Sequence, residues 1–361
     1  MDGHQAMASK TRRPKKRAVA LPGGGPAAGL HIGVLKALEE ANIEFDVFSL
    51  SCVGAWVGLV YNSRVGPHRA AKTLEFFDEH CFRDDASFEW FPVNRGFAPD
   101  IQGLMEAWAG FALSDKRNWD SLVLPGQIGQ SLVNTWSLMA DPQRWTRQEF
   151  NYWMLNDVMA VHPMARYLAA LAFRTDIKGM ARVYYEDSPV LKDIFDNGLL
   201  YEPGMPEIYH NAWKMPGRDG SPGKVQLFHN WRRQSQDGTE HYMRISDRSL
   251  CACSALPHIL ESVTIGEHEY SEGALVDTVS VRNLLNDHPD LDEIWINRIV
   301  DNRQVRAASS LSESLANLPM QFAASLGEKD VELFREQLLR RTRRGPRLVE
   351  LGFIVAPHRH A

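Results

Sequence analysis

Three groups of residues in this chain have the types and spacing for acyl-transfer chemistry. Cys52 closes an apolar run in Phe45–Trp56, FDVFSLSCVGAW, and the small-residue segment Val53-Gly54-Ala55 follows it. A strand that turns sharply into a helix at this point would put the thiol at the helix N-terminus. There the positive end of the helix dipole favours the reactive thiolate. A buried cysteine in apolar surroundings is otherwise inert packing. Glu272 stands in Tyr270-Ser271-Glu272-Gly273-Ala274, a tight turn between apolar residues that presents a carboxylate or else only shapes a surface turn. Gly23-Gly24-Gly25 lies between a strand-like and a helix-like segment. Consecutive glycines leave their backbone N–H groups unobstructed, and near a helix N-terminus such donors stabilise a developing oxyanion. The stretch GGGPAAG lacks the Gly-Lys-Ser/Thr of a phosphate loop and the G-x-G-x-x-G of a dinucleotide fold. An ionised Glu272 beside Cys52 would raise the thiol pKa while the helix dipole lowers it.

These groups need elements to hold them. Arg17–Leu21 predicts a short buried strand, and Pro22–Gly29 a loop. Leu30–Ile43 predicts an amphipathic helix with Ile32, Leu35, Leu38 and Ala41 on one face. Phe45–Leu50 predicts a second strand and Val53–Asn62 an apolar helix, a β-loop-α-β-elbow-α series that signals a parallel sheet. Residues 64–215 predict a mostly helical, aromatic-rich insertion or cap, either packed as a helical core or lining an apolar acyl cavity. Residues 216–304 return to the sheet pattern. Strands are expected at Lys224–Asn230 and Asp292–Val300, with Gly238–Ser246 as a hairpin partner or further strand, and a helix over Ser249–Leu260 stopped by Pro257; His268–Val281 lies between that helix and the last of these strands. Residues 305–361 predict a helix-rich segment over Ser309–Arg344 and a last strand at Arg347–Val355.

The chain has 361 residues and a formal net charge of −5, which argues against a dedicated nucleic-acid binder. The basic runs Lys10–Arg17 and Arg340–Arg344 are either solvated ends or a peripheral contact with an anionic membrane or granule surface. Residues 1–16 predict a disordered tail. Four cysteines without paired C-x-x-C spacing predict no zinc site, and no cofactor or metal is expected. The sparse cysteines, the lack of a signal-peptide h-region and the lack of a transmembrane-length apolar stretch predict a cytoplasmic setting.

In order and context these segments resemble the patatin-like phospholipase family of acyl hydrolases. Gly23–Gly25 resemble its Gly-rich loop, His31–Val47 (HIGVLKALEEANIEFDV) its following helix and strand, and Leu50–Gly54 (LSCVG) its G-x-S-x-G elbow. Ala252–Pro257 (ACSALP) and Tyr270–Val281 (YSEGALVDTVSV) resemble the later segments, the second carrying the catalytic acid. The resemblance implies a three-layer α/β/α fold with a mostly parallel central sheet and a large helical insertion. It implies a dyad of Cys52 and Glu272 in place of Ser and Asp. Oxyanion donors are expected from Gly23, Gly24 and Gly25, together with Val53. The implied activity is cleavage of a lipid-like or other acyl ester or thioester, or acyl transfer through the same thioester. A non-catalytic lipid-binding protein is the remaining alternative. Leu50 stands where the family has the first elbow glycine, and Ala27 where it has Arg or Lys. His31, His229 and His258 have no spacing that ties them to Cys52.

Overall fold

The computed structural model describes residues 15–352, apart from 26, 91–94, 96–98, 114–124, 174, 176, 178, 183–187, 232–241, 301, 302, 304, 306 and 342–344. Residues 1–14 of the tail expected over 1–16, with the first basic residues of the N-terminal run, lie outside the described residues. The chain divides into two compact units, one of residues 1–98 with 181–361 and one of residues 99–180.

The first unit is built on a nine-stranded sheet. Its strands are β1 (Arg17–Leu21), β2 (Val47–Leu50), β4 (Glu207–Lys214), β5 (Lys224–His229), β6 (Met243–Arg244), β8 (Val263–Ile265), β9 (His268–Glu272), β10 (Glu293–Asn297) and β11 (Arg347–Leu351). Two further short strands are β3 (Gly179–Ala181) and β7 (His258–Leu260). The sheet order is β11-β10-β1-β2-β4-β5-β6, parallel from β11 to β4 and again between β5 and β6. β5 and β9 each pair antiparallel with β4, and β8 antiparallel with β9.

Alternation along the strands splits the core into two layers, because successive side chains in a strand point to opposite faces. Val19, Leu21, Phe48, Leu50, Ile208 and Ala212 enter one cluster with Ile32 and Leu35 of α1 (Ala28–Glu40), Val57 of α2 (Val53–Asn62) and Phe76 of α3 (Arg69–His80). Ala18, Ala20, Val47, Tyr209, Ile294 and Ile296 enter the other with Leu284 and Leu285 of a short helix (Leu284–Asp287) and Val331 and Phe334 of the long C-terminal helix (Leu311–Arg341). The expected three-layer α/β/α architecture is therefore present, with a mostly parallel central sheet.

Some segments differ from their sequence expectation. Glu207–Lys214, expected at the end of the helical middle, is the strand at the centre of the sheet. It is covered on both faces, so it shows no alternation of polar and apolar residues. The helix expected over Ser249–Leu260 is Asp247–Cys253, started by a reciprocal cap between Ser246 and Ser249, and residues 258–260 are extended. The strand expected over Gly238–Ser246 is described only at Met243–Arg244. Lys15, Lys16 and Arg17 belong to the fold rather than to a solvated tail. Lys15 and Arg17 pair with Glu293, and Lys16 with Asp290 at 2.9 Å. The Lys15 ammonium, followed by Arg17, holds the Glu293 carboxyl down at about 2.

The second unit contains the helices Ile101–Leu113, Pro125–Ala140, Arg147–Trp153 and Pro163–Phe173, with a π-helical turn at Met154–Met159. Asp141 and Thr146 cap helix starts through their side chains. Trp153 donates to Thr135 Oγ1 at 2.8 Å and Asn134 to Asp157 Oδ1 at 2.7 Å. The one apolar cluster described in it is small, Phe111 and Ala170 with Tyr167 and Leu171. Trp136 and Trp145 are exposed, so within this unit they do not enclose an acyl cavity.

Candidate active site

Cys52 sits at the carboxyl end of β2, the end where open α/β sheets place their ligands. Its backbone has φ 49° and ψ −122°. That region is costly for a residue with a Cβ and is held only by its surroundings. Ser51 N–H donates to Leu21 O at 3.0 Å, and Gly54 N–H to Ser51 O at 2.9 Å. The helix α2 begins immediately, so the strand–bend–helix elbow read from the sequence is formed. Gly54 makes it sterically feasible: a Cβ there would lie 1.9 Å from Leu21 O.

Leu50 neither disrupts the elbow nor occupies its mouth. Its side chain is fully buried and fills the space over Gly58 of α2, where an added Cβ would lie 2.5 Å from Leu50 Cδ2. The bulk lost from the helix is supplied by the strand. Gly58→Ala is expected to destabilise the fold by about 1–3 kcal/mol through overpacking, despite the higher helix propensity of alanine. In a Leu50→Ala background the same change should cost less than half as much. Urea unfolding of the four-member cycle measures this coupling, and equal costs in both backgrounds would rule it out.

Glu272 reaches Cys52 through the sheet. β2 neighbours β4, and β4 pairs antiparallel with β9, with Ala212 opposite Glu272. Leu50 is level with His210, which sets Ala212, and with it Glu272, level with the elbow. The Glu272 carboxyl faces the Cys52 thiol closely enough for each to shift the ionisation of the other. Glu272 Oε2 is buried without a hydrogen-bond partner. The turn after it is fixed by Gly273, where a Cβ would meet Asn211 Oδ1 at 2.5 Å.

The Gly-rich loop completes the cluster. A Cβ on Gly23 would lie 3.2 Å from the Cys52 Cβ and 2.7 Å from the Ala274 Cβ, so only glycine lets the three backbones meet. Gly23 N–H donates to Thr278 O at 3.2 Å and is therefore removed from the expected set of oxyanion donors. Gly24 packs against Ile299, and Gly25 takes φ 62°. The backbone N–H of Val53, the first residue of α2, favours the thiolate form of Cys52. Gly24, Gly25 and Val53 are the other members of the expected donor set. Ala27, in place of a basic residue, packs with Leu30 and Val53 against Ile299, Val300 and Ala324.

Burial decides the electrostatics. Desolvation, then the charge of Glu272, pushes the Cys52 thiol well above its usual range, and the Val53 N–H offsets only part of this. Desolvation pushes Glu272 up to about 7, opposed by the neighbouring Cys52 thiol. Two neighbouring acids that both resist ionisation titrate as a pair, and the proton lost near neutrality comes from the carboxyl side. The thiol therefore rests neutral beside a carboxyl poised to exchange a proton at physiological pH.

Three further residues support the site. Cys253 Sγ accepts the Cys52 N–H at 3.1 Å, which helps hold the unusual backbone of the elbow. Asn211 accepts from Ser51 Oγ at 2.9 Å and donates to Asp277 O at 2.7 Å, so it links β2, β4 and the segment after the acid turn. His31 is buried and lowered to about 4 by desolvation, hence neutral. Its Nδ1 accepts from Asn297 Nδ2 at 2.8 Å and its Nε2 donates to Pro22 O at 2.9 Å, which fixes the entry to the Gly-rich loop. ACSALP carries a signal for Cys253, since its Ala255 O also accepts the Glu272 N–H at 3.0 Å. Asn211 had no signal.

A family model described as patatin-like phospholipase matches residues 19–285. Two curated relatives, each named lysophospholipase nte1, from Aspergillus fumigatus and Neosartorya fischeri, are 48% identical over 52 residues. That stretch covers 14% of this chain and 3% of either relative's length. Among solved structures, VipD from Legionella pneumophila aligns over 85% of this chain and 53% of its own, with 13% identity and a TM-score of 0.31.

Proposed function

The chain belongs to the patatin-like phospholipase family, and from that premise we propose that it cleaves a lipid-like or other acyl ester or thioester through an acyl-thioester on Cys52. The observation that carries this reading is the buried Glu272 carboxyl set beside the Cys52 thiol at the end of β2, with Gly23 packed against the same Cys52. Glu272 takes the thiol proton as Cys52 Sγ bonds to the substrate carbonyl carbon. The carbonyl electron pair moves to oxygen, and the oxyanion is stabilised by the N–H groups of Gly24, Gly25 and Val53. Collapse expels the alkoxide or thiolate leaving group, which recovers the proton from Glu272. Water then gives a proton to Glu272 and attacks the thioester, and the returning proton restores the thiol as free acid departs. The partnerless Glu272 Oε2 suits the exchange with leaving group and water.

The test is mass spectrometry of the peptide containing Cys52 after brief incubation with p-nitrophenyl butyrate or a butyryl thioester. A butyryl adduct on Cys52 that decays to free butyrate is the expected result. Decay only when an alcohol or amine is added would assign acyl transfer instead. No adduct and no p-nitrophenol release would leave the non-catalytic lipid-binding reading.

A further inference from the structure

The C-terminal helix Leu311–Arg341 lies beyond the residues matched by the family, yet it reaches the segment that follows the acid turn. Asp330, on this helix, accepts two backbone donors with one oxygen: Thr278 N–H to Oδ2 at 2.9 Å and Val279 N–H to Oδ2 at 3.3 Å. Thr278 is in turn bonded to both halves of the candidate site. Its carbonyl accepts Gly23 N–H at 3.2 Å, and its hydroxyl donates to Ala274 O at 2.7 Å. Gly23 and Ala274 are the two residues whose close approach encloses Cys52. Hydrogen bonds from backbone donors to a carboxylate are charge-assisted and stronger than neutral ones. A single anionic side chain thus fixes a peptide that orients the Gly-rich loop and the acid turn together.

We propose that Asp330 is a positioning residue for the Gly-rich loop, acting through Thr278. The inference builds on the acyl-hydrolase reading for its kinetic consequence, while its structural consequence stands without it. Asp330 touches no reacting group. With the carboxylate present, the Thr278 carbonyl is aimed at Gly23 and the neighbouring N–H groups of Gly24 and Gly25 hold one geometry. Without it, the 277–279 segment loses its anchor to the helix and the donors spread over several geometries. Oxyanion stabilisation depends on such preorganisation, and small misplacements are felt as large losses of rate.

Asp330→Asn keeps the shape and one acceptor oxygen but removes the charge, and Asp330→Ala removes both. In amide hydrogen exchange, peptides covering Gly23–Gly25 and Thr278 should exchange at least about threefold faster in either variant than in the wild type, with β4 and β5 unchanged. With p-nitrophenyl butyrate as probe, kcat should fall by about threefold to tenfold in Asp330→Asn and about tenfold to hundredfold in Asp330→Ala, with KM held within about threefold. Alkylation of Cys52 by iodoacetamide, which forms no oxyanion, should be unchanged. Unaltered exchange at Gly23–Gly25 in Asp330→Asn would overturn the proposal, as would wild-type kcat in that variant. A uniform rise in exchange across β4 and β5 would also overturn it, since that marks general loosening. A wild-type protein with no turnover would refute the acyl-hydrolase reading alone, and the exchange pattern would still decide the role of Asp330.

Discussion

Cys52→Ala should reduce kcat/KM for an activated ester on the order of 10⁴-fold or more, because it removes the atom that forms the covalent bond. The alanine fits the elbow: it keeps the Cβ and the backbone, and removes only the sulfur between Glu272 and Val53. Stability should change little, since removal of one sulfur atom leaves no large cavity. Cys52→Ser should keep measurable turnover at about 10²-fold below the wild type. Its shorter C–O bond draws the nucleophile back from substrate, and a hydroxyl gives up its proton less readily than a thiol. Stopped-flow release of p-nitrophenol with the three proteins decides the matter. Wild-type kcat/KM in Cys52→Ala would remove Cys52 from the mechanism.

Glu272→Gln should lower kcat/KM by about 10²–10⁴-fold, the usual range for loss of a positioned proton-transfer group. In the wild type kcat/KM should rise with pH through about 7, where Glu272 ionises, because only the ionised carboxyl takes the thiol proton. The amide does not titrate, so this limb should be absent from the variant's residual activity. Stability gives a second readout with a definite sign. The folded pKa of Glu272 lies above its ordinary value of 4.5, so its contribution is complete below about 4.5 and is lost as pH rises through about 7. Glu272→Gln should therefore be at least as stable as the wild type at pH 8, with the gap closing towards pH 5. Thermal unfolding across that range measures it. An unchanged pH–rate profile in the variant would assign the limb to another group.

The candidate site was legible where local sequence determines local shape. Gly23–Gly25, the elbow around Cys52 and the turn after Glu272 each require small residues in a fixed order, and the order survives in the chain. What brings them together is not local. Cys52 and Glu272 meet only because β2, β4 and β9 are neighbours, and β4 carries no strand signature because Glu207–Lys214 (EIYHNAWK) is buried on both faces and has His210 and Asn211 in its middle. The same limit applies to Lys15 and Lys16, which read as tail until Glu293 and Asp290 come into reach. It applies to Asp330 as well, one acidic residue on a helix with a long mixed face. Electrostatics was undecidable from composition alone. The dipole and the carboxylate oppose each other at Cys52, and the degree of burial tips the balance towards a neutral thiol.

The fit of Leu50 over Gly58 also bears on the routes by which this elbow can change. Restoring glycine at position 50 would leave a hole over Gly58, and placing a side chain at 58 first would collide with Leu50. Either single step passes through a less stable protein, and only the pair reaches another well-packed arrangement. Leu50 and Gly58 are thus coupled through packing, so a change at either position is tolerated best when the other changes with it.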